Sequence, residues 1–278
     1  MVTKKKIEKA KASFEQGNQF RENGKIENSI QSYRKAIEIR PTYSRPLVNL
    51  GEVYESQENW VEATKCYRKL IGLEPTNHNP YVKLARVLVK QNKIHGAIAA
   101  YQEAIELKPD LNGIVYKQLG DLLLQEKGDL DAALVAYQKV LEQGKDLNAS
   151  FYAQYADALM QKKSFDAAIK NYDQAIKLNG KNARFYTAMG DALVQKKEWD
   201  KAANYYQKAV ELKPDSAGAY KKMGDIYLEK SQLDTAQRYY QKALEIKPDA
   251  SYVYRCLDDV FAKQGRQAEA QDCYNRSV

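Results

Sequence analysis

Residues 183–216 read ARFYTAMGDALVQKKEWDKAANYYQKAVELKPDS, and residues 217–250 repeat the pattern as AGAYKKMGDIYLEKSQLDTAQRYYQKALEIKPDA. The two segments align without a gap and share Met-Gly-Asp, Tyr-Tyr-Gln-Lys-Ala and Lys-Pro-Asp. In the first half of the first segment, four residues have the i, i+3, i+4, i+7 spacing of one helical face: Tyr186, Met189, Gly190 and Leu193. Repetition at a fixed period predicts a stack of similar units rather than one globular domain.

The same period extends along the whole chain. Five of its segments end in proline, at Pro41, Pro75, Pro109, Pro214 and Pro248. Two further periods end without proline, at Lys145 and Gly180. Aligned in this way, the repeats begin near residues 10, 44, 78, 113, 149, 183, 217 and 251. We therefore predict eight units over residues 10–278, preceded by a basic extension of the first helix at residues 1–9.

One tyrosine column recurs in every repeat, at Tyr33, Tyr67, Tyr101, Tyr137, Tyr172, Tyr206, Tyr240 and Tyr274. A small residue stands four positions before each tyrosine, at Ser29, Ala63, Ala97, Ala133, Ala168, Ala202, Ala236 and Ala270. Another small residue usually follows three positions later. This spacing places the column on one helical face, so we predict that these tyrosines are core residues.

Each repeat therefore encodes two amphipathic helices joined by a short polar turn. Glycine or alanine at the crossing point of the first helix lets two backbones approach closely, and the column tyrosine fills the remaining gap. A single hairpin cannot bury both of its faces, so neighbouring hairpins must stack. In the last repeat Asp258 takes the crossing position. We expect looser packing there, because burying an unpaired carboxylate is costly.

In their order along each repeat, these columns resemble the tetratricopeptide repeat, over about residues 10–278. The resemblance implies an all-α fold, a right-handed superhelical solenoid of antiparallel helix pairs. It implies a concave face lined by the first helix of each pair, and a scaffold that binds a protein or peptide in that concave groove.

Composition excludes several other functions. The formal net charge is +8, but five lysines and one glutamate among the first twelve residues supply half of it, and the rest of the surface is mixed in sign. We therefore predict no nucleic-acid binding. No apolar run could span a bilayer, and the basic start lacks the apolar core of a secretory signal, so we predict no membrane association and a cytoplasmic location. Three cysteines without a CxxC spacing fit a reducing compartment.

The sequence contains no catalytic constellation. Phosphate-binding glycine motifs, HExxH and GxSxG do not occur, and the two histidines are too few for a zinc site. We predict no enzymatic activity, no cofactor and no metal.

Candidate binding residues follow the crossing glycine or alanine by one position. The last five repeats carry aspartate there, at Asp121, Asp157, Asp191, Asp225 and Asp259. On the implied concave face these would form an acidic stripe that favours a basic partner. The alternative is a self-neutralised surface, because Lys117, Lys221 and Arg255 precede three of these aspartates by four residues.

The first three repeats differ from the rest. Lys83 and Arg86 belong to a local basic patch, and Asn18 and Asn49 match positions at which some tetratricopeptide proteins clamp the carboxylates of a peptide C-terminus. Phe14 and Asn79 replace two basic residues of that clamp, which would weaken its charge-assisted bonds. These four candidates join the aspartates as predicted peptide-binding residues: Asn18, Asn49, Lys83 and Arg86.

Two further hypotheses concern the ends of the chain. The first alternative to a scaffold is a targeting or substrate-recruiting module from a larger enzyme, such as a bacterial glycosyltransferase or sulfotransferase. The second is self-association through uncapped ends, since solenoid termini normally need a polar cap.

Overall fold

The structure is a computed structural model that describes residues 2–126, 128–144 and 147–277. Within these ranges the chain forms sixteen α-helices and no β-strand. The prediction of an all-α fold of helix pairs is confirmed. The period end expected at Lys145 lies outside the described residues, as do Met1 of the predicted extension and Val278 at the end of the predicted repeat region.

The helices fall into two compact units, one ending at Gln143 and the other beginning at Gly144. The helices of the first unit are α1 (Val2–Glu22), α2 (Ile26–Ile39), α3 (Ser44–Ser56), α4 (Trp60–Leu73), α5 (His78–Lys90), α6 (Ile94–Leu107), α7 (Gly113–Gln125) and α8 (Leu130–Gln143). Those of the second are α9 (Ala149–Gln161), α10 (Phe165–Leu178), α11 (Ala183–Gln195), α12 (Trp199–Leu212), α13 (Ala217–Glu229), α14 (Leu233–Ile246), α15 (Ser251–Lys263) and α16 (Gln267–Ser277). In each unit every helix packs against the helices before and after it in the chain.

The turn inside seven of the hairpins uses one residue with a left-handed backbone. Gly24 and Gly265 have φ values of 70° and 76° there. Five other repeats place a non-glycine residue at the corresponding point, with φ between 55° and 61°: Glu58, Asn92, Lys163, Lys197 and Ser231. The backbone N–H of the residue that follows closes the turn with a hydrogen bond. In the second repeat, for example, Asn59 N donates to Tyr54 O at 2.8 Å. The same turn geometry therefore sets the start of the second helix in each of these hairpins.

The core of each unit is built on the tyrosine column. Seven column tyrosines are at most 2% exposed, which confirms the prediction for Tyr33 through Tyr240. The rings lie against the crossing glycine of their own hairpin where the repeat has one. A Cβ atom added at Gly51 would lie 2.7 Å from Cε1 of Tyr67, so the ring occupies the space that a side chain would need. The close approach of the two helices therefore depends on a small residue at the crossing.

The eighth column tyrosine is an exception, and the prediction for it is wrong. Tyr274 is 54% exposed, and Cys273 is buried beside it instead. The physical reason is Asp258. The other repeats have glycine or alanine at this position, which leaves room for the tyrosine ring, whereas here a carboxylate side chain occupies that space. The last hairpin buries Ala270 and Cys273 against α15 and leaves its tyrosine at the surface.

Replacing Ser29 with alanine is expected to raise the free energy of unfolding by about 1 to 2 kcal/mol. Ser29 is fully buried, and its hydroxyl has no hydrogen-bond partner among the described residues. The other seven repeats carry alanine at this position. Urea denaturation followed by circular dichroism measures the change, and a loss of stability would contradict the assignment of Ser29 as an unsatisfied hydroxyl.

Thr64 is the matched control for that experiment. Its hydroxyl is also buried, but it donates to Trp60 O at 2.8 Å and accepts from Gln91 Nε2 at 2.7 Å. Removing it in Thr64→Val should therefore lower stability, by about 1 kcal/mol.

Candidate functional site

Column tyrosines and first-helix polar residues form one repeated contact. We call the residue one position after the crossing glycine or alanine the acceptor residue of its repeat. In five repeats the tyrosine hydroxyl donates to this residue, and the distances are 2.7 Å (Tyr33 to Asn18), 2.6 Å (Tyr137 to Asp121), 2.6 Å (Tyr172 to Asp157), 2.6 Å (Tyr206 to Asp191) and 2.9 Å (Tyr240 to Asp225). Four of the five aspartates predicted as a recognition stripe therefore also satisfy buried hydroxyls, and Asp259 is the exception.

Two repeats satisfy the hydroxyl in another way. In the third repeat the acceptor position holds Arg86, which has only donors, and Tyr101 instead donates to Gln118 Oε1 at 2.7 Å. In the second repeat Tyr67 donates to Glu55, one helical turn beyond Glu52. A buried tyrosine hydroxyl thus finds an acceptor even where the repeat pattern does not supply one.

The same carboxylates also bind cations. The pairs are Lys117 with Asp121 at 2.7 Å, Arg184 with Asp157 at 2.5 Å, Lys222 with Asp191, Lys221 with Asp225 at 2.8 Å, and Lys263 with Asp259 at 2.9 Å. Two of the expected i,i+4 pairs are present, but Asp259 pairs with Lys263 and not with Arg255. Each aspartate of the predicted stripe is balanced by one basic side chain, as the self-neutralised alternative requires.

Burial and these carboxylates set the acidity of the column tyrosines. Burial alone raises the pKa of Tyr101 to about 12, against a small opposing effect of Arg86. For Tyr172, Tyr206 and Tyr240 burial raises the pKa further still, helped by the aspartate that accepts the hydrogen bond. These hydroxyls therefore keep their protons at neutral pH, and Asp157, Asp191 and Asp225 each accept a hydrogen bond from one of them.

Hydrogen bonds between residues 31 positions apart in the chain connect one repeat to the next. Asn49 Nδ2 donates to Asn18 Oδ1 at 2.8 Å, Lys83 Nζ donates to Glu52 Oε1 at 2.9 Å, and Lys222 Nζ donates to Asp191. In the sixth repeat the corresponding residue is Ala188, which has no donor, and Arg184 reaches Asp157 from four residues earlier. These contacts tie Asn18, Glu52, Asp157 and Asp191 to the first helix of the following repeat.

The predicted binding residues of the first unit, Asn18, Asn49, Lys83 and Arg86, also form contacts between repeats. Asn18 and Asn49 form one contact, and Lys83 is paired with Glu52. Burial of Glu52 opposes ionisation, but Lys83 and Arg21 hold the pKa of its carboxyl below the ordinary value. Arg86 lies 3.8 Å from Glu55, so the predicted basic patch is largely neutralised. Asn18 and Asn49 thus bond to each other, Lys83 to Glu52 and Arg86 to Glu55, and the role of these four residues in binding a peptide stays a prediction.

The second unit contains a groove along the first-helix face of α13. It encloses about 880 Å³ and is lined by Asp191, Gly218, Lys221, Lys222, Asp225, Glu229 and Tyr252, among others. A Cβ atom at Gly218 would meet nothing within 4 Å, so this residue leaves the groove open. A smaller cavity of about 310 Å³ lies beside it, between Asp157 and Asp191.

Sequence reasoning missed part of this groove. Gly218 and Tyr252 stand at the same position of successive repeats, where the sixth repeat has Arg184. The sequence did carry one signal for the groove, which is the change at this position from arginine to glycine and then to tyrosine. It was missed because this position does not belong to the columns that define the repeat. Tyr252 is 47% exposed and forms an aromatic wall that the aspartate pattern did not indicate.

Two other kinds of site receive no support within the described ranges. No group of three or more histidine, cysteine or carboxylate side chains there is arranged to hold a metal ion. In the same part of the chain, no helix combines the length and the apolar character needed to cross a bilayer.

Comparisons with known proteins match most of the chain. A family model described as TPR repeat matches residues 17–58, 156–195 and 190–230. Three models described as tetratricopeptide repeat match residues 82–149, 217–250 and 47–80. Among curated proteins, none matches this sequence.

Several solved structures share the fold. The crystal structure of MamA is 27% identical with a TM-score of 0.53, covering 57% of this chain and 92% of that chain. The crystal structure of YrrB, described as a TPR protein with an unusual peptide-binding site, is 22% identical with a TM-score of 0.60, covering 73% and 100%. The C-terminal part of a TPR repeat-containing protein from Cytophaga hutchinsonii is 16% identical with a TM-score of 0.66, covering 82% and 93%.

Proposed function

This chain belongs to the tetratricopeptide-repeat family, and we propose from that premise that its second unit binds a peptide segment of a partner protein in the groove along α13. The family makes the chain a protein-interaction scaffold. The location of the site and the character of the ligand are our proposal, and the observation that carries it is the open groove at Gly218.

The dimensions of the groove fit a short extended segment. Its lining residues on α13 run from Gly218 to Glu229, which is about 17 Å along a helix that rises 1.5 Å per residue. An extended peptide advances about 3.3 Å per residue, so about five residues span the same length. A preformed groove of this kind lowers the entropic cost of ordering such a peptide.

Polar groups in the groove favour a segment with basic side chains. Asp191 and Asp225 each keep part of their carboxylate at the surface, and the lysines that pair with them are long and rotatable. A guanidinium group of the ligand can bind a carboxylate with two parallel hydrogen bonds, which lysine cannot do. An arginine of the ligand would thus replace Lys221 or Lys222, while Tyr252 offers an aromatic face for its planar group.

Substituting Gly218 with arginine is expected to weaken peptide binding by about tenfold or more. The new side chain fills the groove, and the backbone is undisturbed because a Cβ atom there meets no neighbour. The probe is a set of peptides selected from a random display library on the full chain, with affinity measured by fluorescence anisotropy. Gly72→Arg is the matched control, since Gly72 also has open space around it but lies outside the groove. Equal affinity of the wild type and Gly218→Arg would remove the groove from the proposal.

A second variant tests the basic character of the ligand. In Asp157→Asn/Asp191→Asn/Asp225→Asn each side chain can still accept the tyrosine hydroxyl, as Asn18 does natively. The charge is lost without loss of the core hydrogen bond. We expect weaker binding and a flatter dependence on salt concentration. Unchanged affinity in this variant would show that the aspartates play no part in recognition, even if Gly218→Arg blocks the groove.

A further inference from the structure

We propose that the second-helix face of the first unit binds an acidic segment of a partner protein, in a groove between α2 and α4. This groove encloses about 500 Å³. It belongs to a different unit from the groove along α13, and its rim is formed by the second helices α2 and α4. The inference is therefore independent of the proposed function.

The floor of this groove is apolar. Ile37 of α2, Leu47 and Leu50 of α3, and Cys66 of α4 line it, and Pro41 lies at one end. These side chains are buried but form the bottom of an open depression. A leucine or isoleucine of a partner would add to the apolar surface removed from water there.

The rim of the groove is basic. Arg34, Lys65 and Lys69 line it, against one acidic residue, Glu38. Lys65 is paired with Glu62 at 2.5 Å. Arg34 donates only to the neutral hydroxyl of Tyr54, at 2.7 Å.

Among the described residues, neither Arg34 nor Lys69 of the rim has a carboxylate within 4.0 Å. The basic residues beside the acceptor residues differ, because Lys83, Lys117, Lys221 and Lys222 each pair with an aspartate or glutamate. A carboxylate brought by a partner would therefore find cations that no residue of the chain already neutralises.

The shape of the groove favours a protein segment over a fatty acid. Because the floor residues are almost fully covered by their neighbours, the depression is shallow and contains no tunnel for a long acyl chain. A helix or strand, in contrast, can place one or two aliphatic side chains on the floor and carboxylates against both rims. The geometry thus selects an acidic amphipathic segment.

Binding of a synthetic peptide with the sequence EELLEELLEE tests this inference. Fluorescence anisotropy at low salt should show saturable binding to the full chain, and the variant Lys65→Glu/Lys69→Glu should weaken it by about tenfold or more. Lys35→Glu/Arg68→Glu is the matched control, because it reverses two exposed charges on the same two helices outside the groove. We expect it to change the affinity by less than about twofold.

The reactivity of Cys66 gives a second readout at the floor itself. Burial raises the pKa of this thiol to about 11, so iodoacetamide should modify it slowly at mildly alkaline pH. Bound EELLEELLEE should slow that reaction further without changing the rate at Cys256, which lies in the other unit. Equal binding by the Lys65→Glu/Lys69→Glu variant, equal binding of KKLLKKLLKK, or displacement of the peptide by oleate would each overturn the proposal.

Discussion

Replacing Tyr206 with alanine is expected to lower the free energy of unfolding by about 3 to 5 kcal/mol, the usual cost of truncating a buried aromatic side chain. The ring is 1% exposed and lies against Gly190 of its own hairpin, and its hydroxyl donates to Asp191 at 2.6 Å. Truncation would leave a cavity between two helices that have no larger side chain at the crossing to fill it. Urea denaturation of the full chain measures the loss.

The same truncation at Tyr274 provides the control. This residue belongs to the same sequence column, but its ring lies at the surface, so Tyr274→Ala should change stability by less than about 0.5 kcal/mol. A large loss at Tyr274 would mean that the last hairpin buries its tyrosine after all. Tyr206→Phe separates the two contributions, since it keeps the ring and removes only the hydrogen bond.

The protein is expected to unfold as the pH rises above 10, before the five column tyrosines with a raised pKa can ionise in place. Burial raises the pKa of Tyr101 to about 12, and burial together with a nearby carboxylate raises it further for Tyr67, Tyr172, Tyr206 and Tyr240. Since the pKa is higher in the folded state than in the unfolded state, the stabilisation is complete below pH 10 and declines above it. Each such tyrosine contributes a slope of up to about 1.4 kcal/mol per pH unit.

Circular dichroism and tyrosinate absorbance, followed together, test this expectation. Tyr67, Tyr101, Tyr172, Tyr206 and Tyr240 should ionise together with the loss of helix. Because burial and the Asp225 carboxylate raise the pKa of Tyr240, the variant Tyr240→Phe isolates the share of one such tyrosine. That variant should reduce the dependence of stability on pH by one proton, and an unchanged slope would contradict the role assigned to Tyr240.

Much of the fold can be predicted from the sequence because the same pattern of residues occurs in eight successive repeats. The fold class and seven of the eight tyrosines could be predicted, since a hairpin of this size has few ways to bury a ring beside a glycine. Tyr274 could not, although Asp258 had been identified as unusual. The outcome depended on how one carboxylate and one ring compete for the same space, which a column of matching residues does not reveal.

Fewer of the contacts in the candidate site could be predicted from the sequence. The pairs Lys117–Asp121 and Lys221–Asp225 could be predicted, because they lie within one helix. Those of Arg184 and Lys222 could not, because these residues reach aspartates of the preceding repeat, 27 and 31 positions earlier in the chain. Their signal was a basic residue that lies 27 or 31 positions after an aspartate, and this spacing becomes meaningful only when two first helices are known to lie side by side.

We call the contact between the first helices of two successive repeats a joint. The joints of the second unit differ in the side chains that form them. The joint at Asp157 is closed by Arg184, whose side chain is 64% exposed, and the joint at Asp191 is closed by Lys222. At the next joint Cys256 takes the place of that lysine, and apolar residues such as Val253 and Leu257 hold the last hairpin. Added salt should therefore weaken the ion pairs of the first two joints and have little effect on the contacts of the third.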